Sequence, residues 1–399
     1  TKAFPRFQAM MKKYDALNAS VQENLIAIRV VKAFVRATHE KEKFNASADE
    51  VTATQRAAEK IVLWGSPLMQ LLMYGSMVAV LWLGGRQVIG GTMEIGALSS
   101  FITYIMQILM SLMMLSFLFV SFVMAKASIA RICEVLDEEP EIESPRQAET
   151  KVADGSVVFD HVGFSYTGDK SNLTLTDINC AIRAGETIGV IGGTGSAKST
   201  LVSLIPRLYD VTCGRVLVGG RDVREYDIHA LRDQVAMVLQ KNVLFSGSIK
   251  ENLRWGDANA TDAEITAACQ ASAADEFVRA LPGGYDMDLG QGGVNVSGGQ
   301  KQRLCIARAL LKKPKIIIFD DATSAVDTAT DARIRAALRD TMPETTKIII
   351  AQRITSVMDA DRIIVLNDGQ IVDMGAHDEL MARCEIYREV YTSQQKGVA

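Results

Sequence analysis

The chain has 399 residues, 48% apolar and 23% charged, so it has room for two or three packed domains of about 100 to 200 residues each and is neither disordered nor collagen-like. A net charge of −4 and a pI near 5.7 leave no basic footprint, which argues against nucleic acid as a partner. The mean hydropathy of +0.11 is high for a soluble protein, so apolar residues must be concentrated in part of the chain.

The chain opens at Thr1 without an initiator methionine or a signal peptide, and we expect it to be the C-terminal part of a longer protein. From about Lys12 to Lys60, apolar residues recur at helical spacing among charges: Val21, Leu25, Ile28, Val31 and Val35. This pattern predicts amphipathic helix. Two uncharged stretches follow, 25 positions from Ile61 to Gly85 and 31 from Ile95 to Ala125. A membrane-spanning helix needs about 20 mostly apolar residues, and the helices of globular domains rarely run so long without a charge. Both stretches are therefore expected to cross a bilayer, the second continuing beyond it as helix. Gly65-Ser66-Pro67 is a candidate kink, and Gly84-Gly85 and Gly90-Gly91 bracket the outer turn. Lys41, Lys43, Arg56 and Lys60 precede the first span and Lys126 and Arg131 follow the second, whereas the connection holds only Arg86 and Glu94. Positive flanks favour the cytoplasm, so the connection is expected outside. Nine of the 17 methionines fall between Met69 and Met124, and Met69, Met73 and Met77 share a helix face. Such flexible side chains suit promiscuous ligands, but lipid-facing or helix-packing filler is the preferred reading.

Glu134 to Ser156 is acidic and polar, with Pro140 and Pro145, and is expected to be a linker between a membrane domain at 1–133 and a second domain at 157–399. Short β-rich runs then alternate with helical stretches. Thr187–Ile191, Ile316–Phe319 and Lys347–Ile350 read as buried parallel strands of an α/β domain. The six cysteines form no C-x-x-C pair and the four histidines are far apart, so free thiols are expected and no metal-ligand cluster is visible.

Three motifs in this second domain carry chemistry. The run Gly192, Gly193, Thr194, Gly195, Ser196, Ala197, Lys198, Ser199, Thr200 follows a strand and precedes a helix. Backbone N–H groups of such a loop converge on phosphate oxygens, Lys198 would reach the β- and γ-phosphates, and the Ser199 hydroxyl would bind Mg²⁺. Ala197 stands where G-x-x-x-x-G-K-[ST] has glycine. Asp320 ends the apolar strand that begins at Ile316 and fits the Mg²⁺-holding acid of a P-loop NTPase, although two aspartates after a strand are by themselves most often a turn or a cap. Ser297, Gly298, Gly299 and Gln300 open a strongly helical stretch and form an anion site from N–H groups and a hydroxyl. One chain does not need two γ-phosphate sites, but two chains closing over each other's nucleotide do.

On these residues the chain resembles an ATP-binding cassette (ABC) exporter half-transporter. Gly192–Thr200 resembles its Walker A motif, Val296–Gln300 its signature and Ile316–Asp321 its Walker B. Tyr166 matches the adenine-stacking loop, Gln240 the Q-loop and Ser324-Ala325-Val326-Asp327 the D-loop. Gln22–Phe34 resembles the second intracellular loop of such exporters, with a coupling helix at about Ile28 to Phe34, and the two spans resemble the last two of six transmembrane helices. The resemblance implies an α-helical transmembrane domain, present in part, fused to an α/β P-loop NTPase domain. It also implies ATP and Mg²⁺ as cofactors, with Ser199, Gln240 and Asp320 at the metal, and a location in the plasma membrane with the NTPase domain in the cytoplasm. The implied partners are a second half-transporter, membrane lipid and a transported drug, lipid or peptide.

The departures from the family pattern converge on one ATP site. Asp321 stands where active cassettes have Glu, Gln352 where they have the switch His, Ala197 where they have Gly, and Gln291 where Glu is common. Asp is one methylene shorter than Glu, and Gln cannot become cationic as His can. The signature residues are intact. The expected function is therefore the degenerate-site half of a heterodimeric exporter, with ATP bound but slowly hydrolysed at this chain's own site. The alternative is a silent, nucleotide-clamping subunit that gates a partner ATPase. A soluble ABC ATPase and an importer fit less well.

Overall fold

The computed structural model describes residues 3–322 and 326–396 of the chain, which divide into two compact units, 1–139 and 140–399. The first unit is four helices: α1 (Ala3–Ala33), α2 (Ala37–Leu63), α3 (Gly65–Ile89) and α4 (Ile95–Leu136).

The amphipathic pattern up to Lys60 becomes the antiparallel pair α1 and α2. Val51 and Ala58 are buried, and Arg6 donates to the Ala57 carbonyl (3.0 Å) while Lys13 pairs with Glu50 (2.5 Å). The turn between them places Val35 at a φ of +54°, an unfavourable conformation for a β-branched residue. Of Ile28 to Phe34, expected as a short coupling helix, the residues up to Ala33 are the continuous end of α1, and the chain turns at Phe34.

The helix is interrupted at Trp64, just before Pro67, which has no N–H to give to the Leu63 carbonyl. The first apolar span therefore runs from Pro67 to Ile89 rather than from about 61 to 85. Gly84-Gly85 does not end it, because a helix in hydrocarbon must keep its backbone bonded internally. Gly84 instead lets α4 approach, since a Cβ there would lie 2.4 Å from Leu98 Cδ1. Arg86 lies in the last turn with its guanidinium 5.4 Å from the Trp82 ring. The second span, Ile95–Phe119, opens α4, whose 42 residues make it about 63 Å long, twice the hydrocarbon thickness. Only 6% of the first span's apolar window and none of the second's is buried within the molecule. These are not the core helices of a soluble domain.

The second unit has two sheets. β1 (Val157–Phe164), β2 (Leu175–Ile182), β4 (Cys213–Val218) and β5 (Arg221–Asp222) form an antiparallel sheet in the order β2-β1-β4-β5. β3 (Thr187–Ile191), β6 (Val235–Val238), β7 (Ile316–Asp320), β8 (Thr346–Ile350), β9 (Arg362–Asn367) and β10 (Gln370–Gly375) form the other, in the order β10-β9-β3-β8-β7-β6. β9, β3, β8, β7 and β6 are parallel and β10 is antiparallel to β9, with Ile188 opposite Ile348 and Ile318 opposite Ile348 across the neighbouring ladder. β7 and β8 are buried along their whole length, as continuous apolar runs require. Parallel strands put their C-terminal ends on one edge, and there β3 releases the Gly192 loop, β6 leads to Gln240, β7 ends at Asp320 and β8 leads to Gln352.

Of residues 134–156, expected as linker, 134–136 end α4 and 140–156 are strapped to this second unit. The Ser144 hydroxyl donates to Asp227 (3.0 Å) and accepts from the Ile228 N–H (2.9 Å), Arg207 donates to the Glu143 carbonyl (3.0 Å), and Lys315 reaches the carbonyls of Val152 and Ala153. All six cysteines are free thiols, four of them buried.

Candidate functional site

β3 delivers the chain into the loop Gly192–Ala197, and α5 (Lys198–Ser203) begins directly after it. Gly192 is required by close approach, because a Cβ there would lie 2.1 Å from the Leu366 carbonyl oxygen. Ala197 caps α5 with φ +67° and ψ +25°, the left-handed conformation. That geometry explains why glycine suits the position: an L-residue there costs roughly 1–2 kcal/mol.

Lys198 donates from Nζ to the carbonyls of Gly192 (2.9 Å) and Gly193 (2.7 Å) and to Ser196 Oγ (3.3 Å). Burial pulls its pKa down, against the opposing pull of Asp320 and Asp321. Ser199 Oγ donates to Asp320 Oδ1 at 2.9 Å. Burial raises the pKa of Asp320; the Ser199 hydrogen bond and Lys198 oppose this, and Asp321 reinforces it. The Thr200 hydroxyl meets the Tyr166 hydroxyl at 3.0 Å. The Tyr166 ring packs edge-on against Phe164 and Tyr209 and is 57% exposed.

Asp321 follows β7 in a left-handed turn, φ +51°, with its N–H on the Ile350 carbonyl (3.1 Å). Its Oδ2 accepts two carboxamides, Gln352 Nε2 at 2.8 Å and Gln240 Nε2 at 3.3 Å. Residues 198–200, 240, 320–321 and 352, read separately along the sequence, thus meet in one place. Gln302, 1% exposed, donates to the Asp321 backbone carbonyl at 3.4 Å. Sequence reasoning missed it, and its one signal is a glutamine on the buried side of the helix opened by Gly298.

The signature residues lie apart. Ser297 caps the helix Gly298–Leu311 in a reciprocal box with Gln300: Ser297 Oγ accepts from the Gln300 N–H (3.4 Å) and Gln300 Oε1 from the Ser297 N–H (2.9 Å). Nothing lies within 4 Å of a Cβ built on Gly298. Among the described residues, no hydrogen bond joins residues 297–300 to the loop 192–200. Asp327 caps the helix Thr328–Thr341 by accepting from the Thr330 N–H (2.9 Å), which lowers its pKa. Ser324 and Ala325 lie outside the described residues.

The donor set fits a magnesium nucleotide. Ser199 hydroxyl, Asp320 carboxylate and Gln240 carboxamide oxygens are hard ligands, and Mg²⁺ is typically held by one or two carboxylates plus substrate phosphates. No His/Cys/Asp/Glu cluster able to hold a metal by itself occurs among the described residues.

A family model described as "ABC transporter" matches residues 175–324, and one described as "ABC transporter transmembrane region" matches residues 5–112. An uncharacterized ABC transporter ATP-binding protein of Bacillus subtilis, YfiB, is 39% identical over 391 residues, covering 97% of this chain and 67% of its own length. An ATP-dependent lipid A-core flippase of Desulfotalea psychrophila is 35% identical over 376 residues, 94% of this chain and 65% of its own. The solved structure of a bacterial Atm1-family ABC exporter with ATP bound superposes with a TM-score of 0.88 at 30% identity, over 98% of this chain and 69% of that one. The chain thus spans about two thirds of the length of the proteins it matches.

Proposed function

Given that the chain belongs to the ABC transporter family, whose transmembrane region and ATP-binding domain it carries, we propose that it is the slow-hydrolysing half of a heterodimeric exporter. The family's reaction is ATP hydrolysis coupled to transport. In this chain the loop N–H groups and Lys198 would hold the triphosphate, and the Tyr166 ring the base. Ser199, Gln240 and Asp320 would hold Mg²⁺, which when bound offsets phosphate charge.

The observation that carries the reading is the environment of Asp321. Its carboxylate stops one methylene short of a glutamate's reach, about 1.5 Å, and a misplacement of about 1 Å costs on the order of 100-fold in rate. Among the described residues, Gln352 and Gln240 donate to Oδ2, and their carboxamides orient a carboxylate or a water but add no positive charge beside a γ-phosphate. Binding groups are kept and the hydrolytic group is displaced. The intact cap at Ser297, with Gly298 open beside it, supports a role in completing the nucleotide site of a partner chain. The likeness to the lipid A-core flippase supports a lipid-type cargo.

The test uses the full-length protein with its partner half-transporter in lipid. Nucleotide trapped at this chain's site should be recovered as ATP, and the complex should lose turnover when the partner's Walker B carboxylate is removed, not when Asp321 is. Brisk hydrolysis by this protein alone contradicts the reading. Trapping with no ADP over many turnovers would make it a pure clamp that gates the partner.

A further inference from the structure

The loop that carries Gln352 leaves β8 after Ile350 and is fastened at both ends by side chains outside the nucleotide motifs. At its far end the Ser356 hydroxyl donates to Asp331 Oδ2 at 3.1 Å, from the helix Thr328–Thr341. At its near end the partner is Gln394, on the C-terminal helix Glu385–Lys396. Gln394 Oε1 accepts from the Ile354 N–H at 2.9 Å, and Gln394 Nε2 donates to the Gln352 carbonyl at 2.7 Å. One carboxamide thus takes an N–H and a C=O two residues apart, as a neighbouring strand would. No other uncharged side chain of that length offers both a donor and an acceptor. The two bonds hold the peptide planes on either side of Arg353, the first of which carries the Gln352 carbonyl, and the Gln352 Nε2 lies 2.8 Å from Asp321 Oδ2.

We infer that Gln394 is a positioning residue for the nucleotide site, holding the Gln352 loop in register so that the Gln352 carboxamide meets Asp321, and that the C-terminal helix is thereby part of the nucleotide clamp. Gln394 touches no reacting atom and acts through Gln352. The inference rests on the reading of this site as one that retains nucleotide. A bidentate bond from this helix to the switch loop makes helix docking and nucleotide retention one event.

The test is a double-mutant cycle in the full-length protein with its partner, measuring release of a fluorescent ATP analogue trapped at this chain's site. Q394A and Q352A should each speed release about 3- to 10-fold, the range expected for one or two net hydrogen bonds, and the double variant should be no faster than Q352A alone. Q394E keeps size and the bond from Ile354 but sets an oxygen against the Gln352 carbonyl, and should match Q394A. A shared thermal midpoint across the set separates positioning from general destabilisation. Release unchanged in Q394A and Q394E, or effects that multiply in the double variant, would overturn the inference. Fast ADP formation in the unmodified protein would instead count against slow hydrolysis at this site, and the same cycle, read as ADP formation, would still decide the role of Gln394.

Discussion

At the scale of single residues, the proposed slow hydrolysis rests on Asp321 and Gln352 and the strain of the phosphate loop on Ala197, each through a different physical quantity. For Asp321 it is reach and for Gln352 it is charge. Restoring both, D321E with Q352H, is expected to raise turnover at this site of the assembled complex by about 10- to 100-fold, measured as ADP formed there. An unchanged rate would place the block elsewhere. For Ala197 the quantity is backbone strain. A197G relieves a left-handed alanine at φ +67° and should stabilise the domain by about 1 kcal/mol, or about 2 °C in thermal midpoint. An equal or lower midpoint would mean that the loop relaxes without glycine. The motif departure at Ala197 is legible in the sequence, but its conformational consequence is not, because φ depends on how the loop closes onto Leu366.

At the scale of elements, helix ends explain more than helix interiors. Ser248, Thr261 and Ser297 each open a helix with a reciprocal box to a Glu or Gln three residues on, a spacing visible in the sequence. The box at Thr261 is extended by Lys313, whose ammonium bonds Glu264 Oε1 at 2.7 Å. That hydrogen bond first, and those from Thr261 next, pull Glu264 from 4.5 down to about 2. A carboxylate with a depressed folded pKa adds stability above its ordinary pKa and loses it as the pH falls toward the folded value. The domain's thermal midpoint should therefore fall between about pH 4.5 and 2, and E264Q should flatten that slope slightly, since the pair is exposed and screened by solvent. A slope identical in E264Q would remove Glu264 from the account. The strap 140–156 teaches the opposite lesson. Its acid-rich, proline-punctuated composition reads as linker, yet Ser144 and Glu143 are tied to Asp227 and Arg207, more than 60 residues away. Composition reports solubility, and it says little about which distant groups will accept a hydrogen bond.

At the scale of the whole molecule, the arrangement is a membrane unit and an α/β ATPase unit in one chain. The charge flanks orient the membrane unit. With Lys and Arg before α3 and after the spanning part of α4, the connection Gly90–Glu94 is expected outside the cytoplasm. A cysteine at Thr92 should react with a membrane-impermeant maleimide applied to intact cells, whereas one at Lys126 should react only after the membrane is opened. The reverse pattern would invert the topology. Exposure of the long apolar faces of α3 and α4 fits lipid and neighbouring helices as their solvent, since in hydrocarbon such faces carry no burial penalty.

The sequence alone determined the two apolar spans, three of the parallel strands and the motifs, because periodicity, apolar run length and turn chemistry are local properties written within about ten to twenty residues. It placed the kink near Pro67 but not the end of the first span, because whether Gly84-Gly85 breaks a helix depends on the solvent and on Leu98 packing against it. Tertiary structure alone decided that Gln240 and Gln352 converge on one oxygen of Asp321, that Gln302 and Gln394 stand behind them, and that, among the described residues, 297–300 share no hydrogen bond with this chain's own phosphate loop. Those pairings join positions 19 to 81 residues apart. Their geometry is fixed by how sheet edges and helix ends dock, and no local pattern of side chains encodes that.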